Sequence, residues 1–237
     1  MRCRASRHVA IVAALGWAPP GQAAQQQVER ERERQAMVAE QIEARGVTHA
    51  GVLRAMNAVP RHEFVPEDYG ELAYADRPLP IGLGQTISQP FIVALMTELV
   101  DPGPTDRILE VGTGSGYQAA VAAELVAEVF TIELLPELAA SAEARLRRLG
   151  AANVHVRAGD GYLGWPEEAP FDGILVTAGA DHVPQPLIDQ LAVGARMVIP
   201  VGDQLANQVL KVIEKRPDGT VDTRDVVPVR FVPLRRR

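Results

Sequence analysis

Residues 107–118, with the sequence RILEVGTGSGYQ, restrict the possible folds of this chain more than any other segment. Residues 108–111 form a short apolar run that is interrupted only by Glu110, which is typical of a buried strand. Three glycines follow at alternate positions: Gly112, Gly114 and Gly116. A helix-forming segment comes next, so the pattern predicts the nucleotide-binding corner of a doubly wound α/β sheet. Glycine suits such a turn because it has no Cβ and lets a ligand approach the backbone.

The composition favours one globular domain, since 47% of the 237 residues are hydrophobic. The formal net charge of −6 argues against a nucleic-acid partner, because no basic patch dominates the chain. No apolar segment reaches the roughly 20 residues that span a bilayer, so we expect no stable membrane association. The only cysteine is Cys3 and the five histidines are scattered. We therefore expect a monomer that needs no metal.

The first 24 residues have the pattern of a secretory signal. Three arginines precede an apolar run at residues 9–18, and Gly21 and Ala23 fit the small residues of a cleavage site. The alternative is an apolar N-terminal extension. We accordingly divide the chain into a signal peptide or extension, residues 1–24, and a single domain, residues 25–237.

The single domain is predicted to have three parts. Helices are expected at 25–45, 50–58 and 90–100, the first of them across a surface, with a long irregular segment at 60–89. Strands are expected at 108–111, 128–133, 154–157, 171–177 and 196–201, helices at 136–149 and 186–191, and a closing hairpin at 207–215 and 221–230. This alternation predicts a mostly parallel, doubly wound sheet with a C-terminal antiparallel hairpin. The parts are a helical and loop region (25–100), a cofactor-binding core (101–202) and C-terminal strands (203–237).

Acidic residues near the glycine turn indicate the class of ligand. Glu133 lies 21 residues after Gly112, at the end of the second strand, where a carboxylate can bind ribose hydroxyls. Asp160 and Gly161 end the third strand and reach the same edge. The alternatives are a solvated strand-end charge for Glu133 and a strand-end turn residue for Asp160. The glycine spacing also departs from the G-x-G-x-x-G of dinucleotide sites, and Glu110 would repel a pyrophosphate. A cationic ligand without phosphate, such as S-adenosylmethionine, fits this pattern.

Several blocks resemble those of the protein-L-isoaspartate (D-aspartate) O-methyltransferases. The cofactor motif is ILEVGTGSGYQAAVAAEL. Other similar blocks follow the family order: VPRHEFVP, RPLPIGLGQTISQPFIVALMTELV, GDGYLGW, APFDGILVTA, LAVGARMVIPVG and VRFVPL. The resemblance covers roughly residues 35–234. Because GQTISQP and VRFVPL lie outside the generic cofactor fold, they favour this family over other methyltransferases.

The resemblance implies a repair enzyme of the Rossmann-like methyltransferase type. Such an enzyme moves a methyl group from S-adenosylmethionine to the α-carboxylate of L-isoaspartyl residues in damaged proteins and peptides. A carboxylate with a pKa of about 3.5–4 is already ionised at neutral pH, so the reaction needs alignment and no general base. Family membership implies a cytoplasmic enzyme, and a functional signal at residues 1–24 would instead imply a periplasmic one.

The resemblance also assigns the site residues. Ser88 matches the catalytic serine. The cofactor-binding positions are Glu110, Gly112, Thr113, Gly114, Gly116, Glu133, Asp160 and Gly161. The substrate-binding positions are Thr86, Ile87, Ser88, Val232, Pro233 and Leu234. Two alternatives remain: Ser88 could cap the helix that begins near Pro90, and Val232 to Leu234 could be edge packing.

Three rival functions are also compatible with a glycine-rich corner. A small-molecule methyltransferase is disfavoured by GQTISQP and VRFVPL. A nicotinamide-dependent oxidoreductase is disfavoured by Glu110 and the glycine spacing. A non-catalytic adenosyl-binding module is expected to lack a residue like Ser88.

Overall fold

The computed structural model describes residues 20–203 and 207–236. Most of the predicted leader, residues 1–19, therefore lies outside the described residues, and its role as a signal stays a prediction. Among the residues described, none of the helices combines the length and the apolar character that a membrane crossing requires.

The N-terminal region packs into the core. Its elements are α1 (Pro20–Ala36), a π-helical segment (Met37–Ile42), a 3-10 turn (Glu43–Arg45), α2 (Ala50–Ala58), two further 3-10 turns (Arg61–Phe64 and Glu67–Leu72), the strands β1 (Leu79–Gly82) and β2 (Gln85–Ile87), and α3 (Pro90–Val100). The helices confirm the three predicted ones. At the end of the first one, Met37, Val38 and Ile42 are buried in a hydrophobic cluster, so this end packs against the core. The segment predicted as irregular contains the hairpin β1–β2.

The rest of the chain forms the sheet and its helices. In order these are β3 (Arg107–Val111), α4 (Tyr117–Ala123), β4 (Glu128–Glu133), α5 (Pro136–Arg148), β5 (Val154–Ala158), β6 (Phe171–Val176), α6 (Gln185–Gln190), β7 (Leu191–Gly202), β8 (Gln208–Lys215) and β9 (Val221–Val229). The sheet order is β5-β4-β3-β6-β7-β8-β9. The five strands β3 to β7 are parallel to one another, and β8 and β9 are added antiparallel. The predicted fold class is confirmed, although β7 begins five residues earlier than predicted.

Strand β3 is the point from which the sheet extends in both directions. The chain passes from β3 to β4 and β5 on one side and then returns to β6 on the other side. Leu109 and Val111 of β3 are completely buried, as expected for a parallel strand covered on both faces. In such sheets the crevice at the carboxyl ends of the strands where the order reverses is the usual ligand site. That crevice lies beyond the ends of β3 and β6.

The last residues of the chain return to this crevice. The main chain of Gly179, just after β6, donates to the carbonyl of Val232 and accepts from the N–H of Leu234, both at 2.8 Å. One residue earlier, the Gln208 side chain accepts from the Phe231 N–H at 2.8 Å and donates to its carbonyl at 3.2 Å. Residues 231–234 are thus fixed across the end of the sheet.

Candidate active site

A cleft of about 1000 Å³, including its open mouth, lies beyond the carboxyl end of β3. It is enclosed by the glycine turn, the end of β4, the hairpin β1–β2 and the C-terminal segment. Twelve of the fourteen predicted site residues line it: Thr86, Ile87, Ser88, Glu110, Gly112, Thr113, Gly114, Glu133, Gly161, Val232, Pro233 and Leu234. The two predicted sites, for cofactor and for acceptor, are therefore parts of one cavity.

The glycine turn brings the main chain to the cleft wall. Gly112 has a φ of 102°, and a Cβ at this position would lie 2.6 Å from the Oγ1 atom of Thr177. The Thr177 hydroxyl donates to the Gly112 carbonyl at 2.7 Å. Both the conformation and the space require glycine here, which leaves the backbone open to a ligand.

Glu133 joins the turn to the end of β4. Its carboxylate accepts hydrogen bonds from the N–H of Gly114 at 2.8 Å and from the N–H of Leu135 at 3.0 Å. The side chain is buried and lines the cleft. Its two oxygens therefore stabilise the turn and also lie beside any ligand in the cleft.

Glu110 is an ionisable group buried at the floor of the cleft, only 1% exposed. The Thr131 hydroxyl donates to its Oε2 at 2.5 Å and lies 2.6 Å from the Thr113 hydroxyl. Within the described part of the chain, Oε1 has no hydrogen-bond partner. Burial raises the pKa of Glu110 to about 8; the Thr131 hydrogen bond opposes this effect, and the Glu133 charge adds to it. A buried carboxyl with one unpaired oxygen is suited to a cationic group of a ligand.

Ser88 does not cap α3. The N-cap residue is Gln89, which makes no side-chain cap, and the Phe91 N–H donates instead to Asp76 at 3.2 Å. The N-cap alternative for Ser88 is therefore wrong. Ser88 is half-buried, and its hydroxyl makes no hydrogen bond to another described residue, so it is free to bind a substrate.

Asp76 is a residue that sequence reasoning missed. Its carboxylate also accepts from the Gln89 side chain at 2.6 Å and from Arg45 at 2.5 Å. The Arg45 guanidinium in turn lies 3.5 Å from the centre of the Phe91 ring. Asp76 thus connects the chain on either side of Ser88 to α3 and to the N-terminal region.

A second groove, of about 940 Å³, adjoins the cleft. The two cavities share four lining residues: Thr86, Ser88, Thr177 and Val232. The rest of the groove is lined by Pro78, Gln89, Ile92, Pro228, Val229, Arg230 and Phe231. Ser88 therefore lies at the junction between the cleft and a groove that opens towards the end of β9.

Two predicted cofactor residues do not line the cleft. A Cβ on Gly116 would lie 3.1 Å from the Leu146 side chain, so this glycine faces α5. The Asp160 side chain accepts from the Tyr162 N–H at 3.0 Å and caps a short 3-10 turn. The role of both residues in cofactor binding stays a prediction.

Thirteen lining residues were not predicted from the sequence. They are Leu83, Gln85, Val93, Val111, Ser115, Tyr117, Gln118, Ile132, Leu134, Leu135, Thr177, Ala178 and Arg235. Thr177 could have been predicted, because it ends the fourth strand at the same edge. Gln118 was not predicted because it lies within the helical segment that follows the glycine turn. Its side-chain nitrogen donates to the Thr97 hydroxyl at 2.8 Å, and its side-chain oxygen has no partner among the described residues.

The parallel order around β3 and the carboxylates in the cleft define a Rossmann-like methyltransferase. Comparisons with known proteins identify the family. The sequence model of the protein-L-isoaspartate(D-aspartate) O-methyltransferase family (PCMT) matches residues 32–237, and the chain belongs to this family. A Gloeobacter violaceus protein named Protein-L-isoaspartate O-methyltransferase is 58% identical over 200 residues, which cover 84% of this chain and 97% of that one.

Solved structures agree with this assignment. One, named protein-L-isoaspartate O-methyltransferase, has a TM-score of 0.76 at 30% identity and covers 86% of this chain and 65% of that chain. Another, from Plasmodium falciparum, is provisionally described as a PCMT in complex with S-adenosyl-L-homocysteine. It has a TM-score of 0.74 at 26% identity and covers 86% of this chain and 99% of that chain.

Proposed function

We propose that this protein transfers the methyl group of S-adenosylmethionine to the α-carboxylate of L-isoaspartyl residues in damaged proteins and peptides. The ester then closes to a succinimide, which hydrolyses in part to normal aspartate. The observation that carries the proposal is the position of Ser88, which lines both the cleft and the adjoining groove and whose hydroxyl makes no hydrogen bond with another described residue. A donor in one cavity and a peptide in the other would meet at this residue.

The cleft fits S-adenosylmethionine. The unpaired Oε1 of Glu110 suits the ammonium of the methionyl group, and Glu133 suits the ribose hydroxyls. When bound, the cofactor supplies a methyl group on a positively charged sulfur. The chain's own part is to hold the donor: the turn from Gly112 to Gly114 bounds its methionyl group, and Gly161 bounds the adenine side.

The groove fits the acceptor. The α-carboxylate of the acceptor is ionised at neutral pH, so no residue has to remove a proton from it. The Ser88 hydroxyl can donate a hydrogen bond to one carboxylate oxygen while the other oxygen faces the methyl donor. Thr86 and Ile87 lie beside it on β2. The Val232 carbonyl and the Leu234 N–H are bonded to Gly179, so the Val232 N–H and the Pro233 carbonyl are the main-chain groups of this segment that could meet an extended peptide.

We further infer that the enzyme is active as a monomer, because a single chain already brings Ser88, Glu110 and Glu133 to one cleft. The cytoplasm is the expected compartment, because the cofactor is made there. N-terminal sequencing of the protein from its own host would show whether residues 1–24 are removed by export.

The function is tested with labelled S-adenosylmethionine and two peptides that differ only in isoaspartate against aspartate. We expect label in the isoaspartyl peptide alone. Ser88→Ala should lower the rate strongly, whereas Ser141→Ala, an exposed serine on α5, serves as the matched control. Equal labelling of both peptides would indicate another methyltransferase, and cofactor binding without any labelling would indicate a binding module.

A further inference from the structure

The groove next to Ser88 carries a charge that the reaction itself does not use. Among the described residues that line this groove, Arg230 alone is charged. Its side chain is exposed, and it makes no ion pair or hydrogen bond with another described residue. A groove that is otherwise apolar or neutral therefore takes its electrostatic sign from one guanidinium.

The backbone around Arg230 is fixed, although its side chain has no partner among the described residues. β9 ends at Val229, and the next residue after Arg230, Phe231, is held through both its N–H and its carbonyl by Gln208. The position of the guanidinium is therefore limited by side-chain rotation alone. A cation held in this way can discriminate between ligands without first ordering a loop.

The spacing along the C-terminal segment indicates which part of an acceptor Arg230 would meet. Val232 lines both cavities, so the residue to be methylated lies beside Val232 and Ser88. Arg230 lies two residues earlier, which corresponds to about 7 Å of extended chain. A peptide that runs along this segment would place a neighbouring side chain, and not the reacting carboxylate, next to the guanidinium.

We propose that Arg230 is a specificity-determining residue that selects isoaspartyl peptides with an acidic side chain beside the damaged residue. This inference rests on the proposed function, since it assumes that the groove holds the acceptor. The preference opposes the overall charge of the protein, which is −6 and disfavours the approach of an acidic peptide. Arg230 thus makes the electrostatic potential locally positive in the groove where the peptide is proposed to bind.

The test uses three isoaspartyl peptides that differ only at the residues flanking the isoaspartate, with Glu, Ala or Lys. The ratio of kcat/KM for the Glu peptide to that for the Lys peptide is the readout, because it cancels any change common to all peptides. The wild-type ratio should be about three to ten at low salt, as expected for exposed charge pairs, and should fall towards one at about 0.5 M salt. In Arg230→Glu the ratio should fall below one.

The matched control is Arg224→Glu, which makes the same charge change on β9 at an exposed residue outside the groove. It should keep the wild-type ratio. A wild-type ratio of one, or an equal loss of rate for all three peptides in Arg230→Glu, would overturn the proposal; the second result would mean that Arg230 binds the reacting carboxylate. The two hypotheses fail in different ways: if wild type methylates none of the three isoaspartyl peptides, the proposed function fails independently of Arg230.

Discussion

Replacement of Glu110 by glutamine should make the protein more stable at neutral pH while it weakens cofactor binding. The carboxyl is 1% exposed, and burial is the main reason why its pKa is raised from 4.5 to about 8. The folded protein therefore keeps the Glu110 proton at pH 7, whereas the unfolded chain releases it. Stability from this group is fully present below about pH 4.5 and is lost as the pH rises through 8.

The size of the effect follows from the two pKa values. Each pH unit between them is equivalent to about 1.4 kcal/mol. Relative to low pH, the free energy of unfolding of wild type is therefore lower by about 3 kcal/mol at pH 7 and by about 5 kcal/mol above pH 9. Glutamine is close in shape and does not ionise, so it avoids this loss. Its amide leaves a buried donor with poor partners, which costs about 1–3 kcal/mol at every pH. The pH dependence, and not the difference at one pH, is therefore the informative quantity.

The assay is urea unfolding of wild type and Glu110→Gln at pH 5 and pH 8 without cofactor. Between these values the free energy of unfolding of the variant, relative to wild type, should rise by about 3–4 kcal/mol. Glu124→Gln, which removes an exposed carboxylate beside α4, is the matched control.

Cofactor titrations of the same proteins provide a second readout. Wild type must release the Glu110 proton to bind a cationic group, so its affinity should increase from pH 6 to pH 8 by up to about tenfold per unit. The variant should bind weakly at both pH values. An unfolding difference that does not change with pH would refute the reasoning about burial. Tight cofactor binding by Glu110→Gln would refute the assignment of the ammonium.

Three further changes test separate parts of the site. Ser88→Ala should lower kcat more than it weakens cofactor binding, and Glu133→Ala should do the reverse; a large loss of cofactor affinity in Ser88→Ala, measured by titration, would contradict the assignment. Asp76→Ala removes the cap of α3 and should cost about 1–2 kcal/mol in urea unfolding and lower kcat, with cofactor affinity nearly unchanged; normal kcat would mean that Ser88 does not depend on it. Gly112→Ala forces a Cβ to within 2.6 Å of Thr177 at a φ of 102°, so both stability and cofactor affinity should fall, and a variant that binds cofactor normally would show that the turn can adjust.

The sheet was predictable because its signals are local. The apolar runs of β3, β4 and β6 and the glycine turn identify a nucleotide-binding corner from a few residues each. The rule that ligands bind at the carboxyl ends then groups Glu110, Glu133 and Gly161 without further information. The prediction of the acceptor residues rests on resemblance alone, since nothing local to TISQP or VRFVPL indicates chemistry.

The parts that were missed depend on contacts between distant segments. The capping of α3 by Asp76 joins residues 15 positions apart, and the sequence around Ser88 looks like an ordinary N-cap. The hairpin β1–β2 is only a few residues long and rich in proline and glycine, which disfavour strands in general. The contact of Gly116 with α5 was likewise not predictable; its φ of 89° and this contact both require glycine, and its role in cofactor binding stays a prediction.

Apart from Thr177, which follows β6, the proposed acceptor groove is lined by two short segments, residues 78–92 and 228–232. Neither segment contributes a residue to strands β3 and β4 or to their glycine turn. In evolutionary terms this separates two kinds of change. Substitutions in these segments can alter which damaged peptides are accepted while the donor site keeps its geometry. Relatives with the same donor site can therefore diverge in the proteins that they maintain.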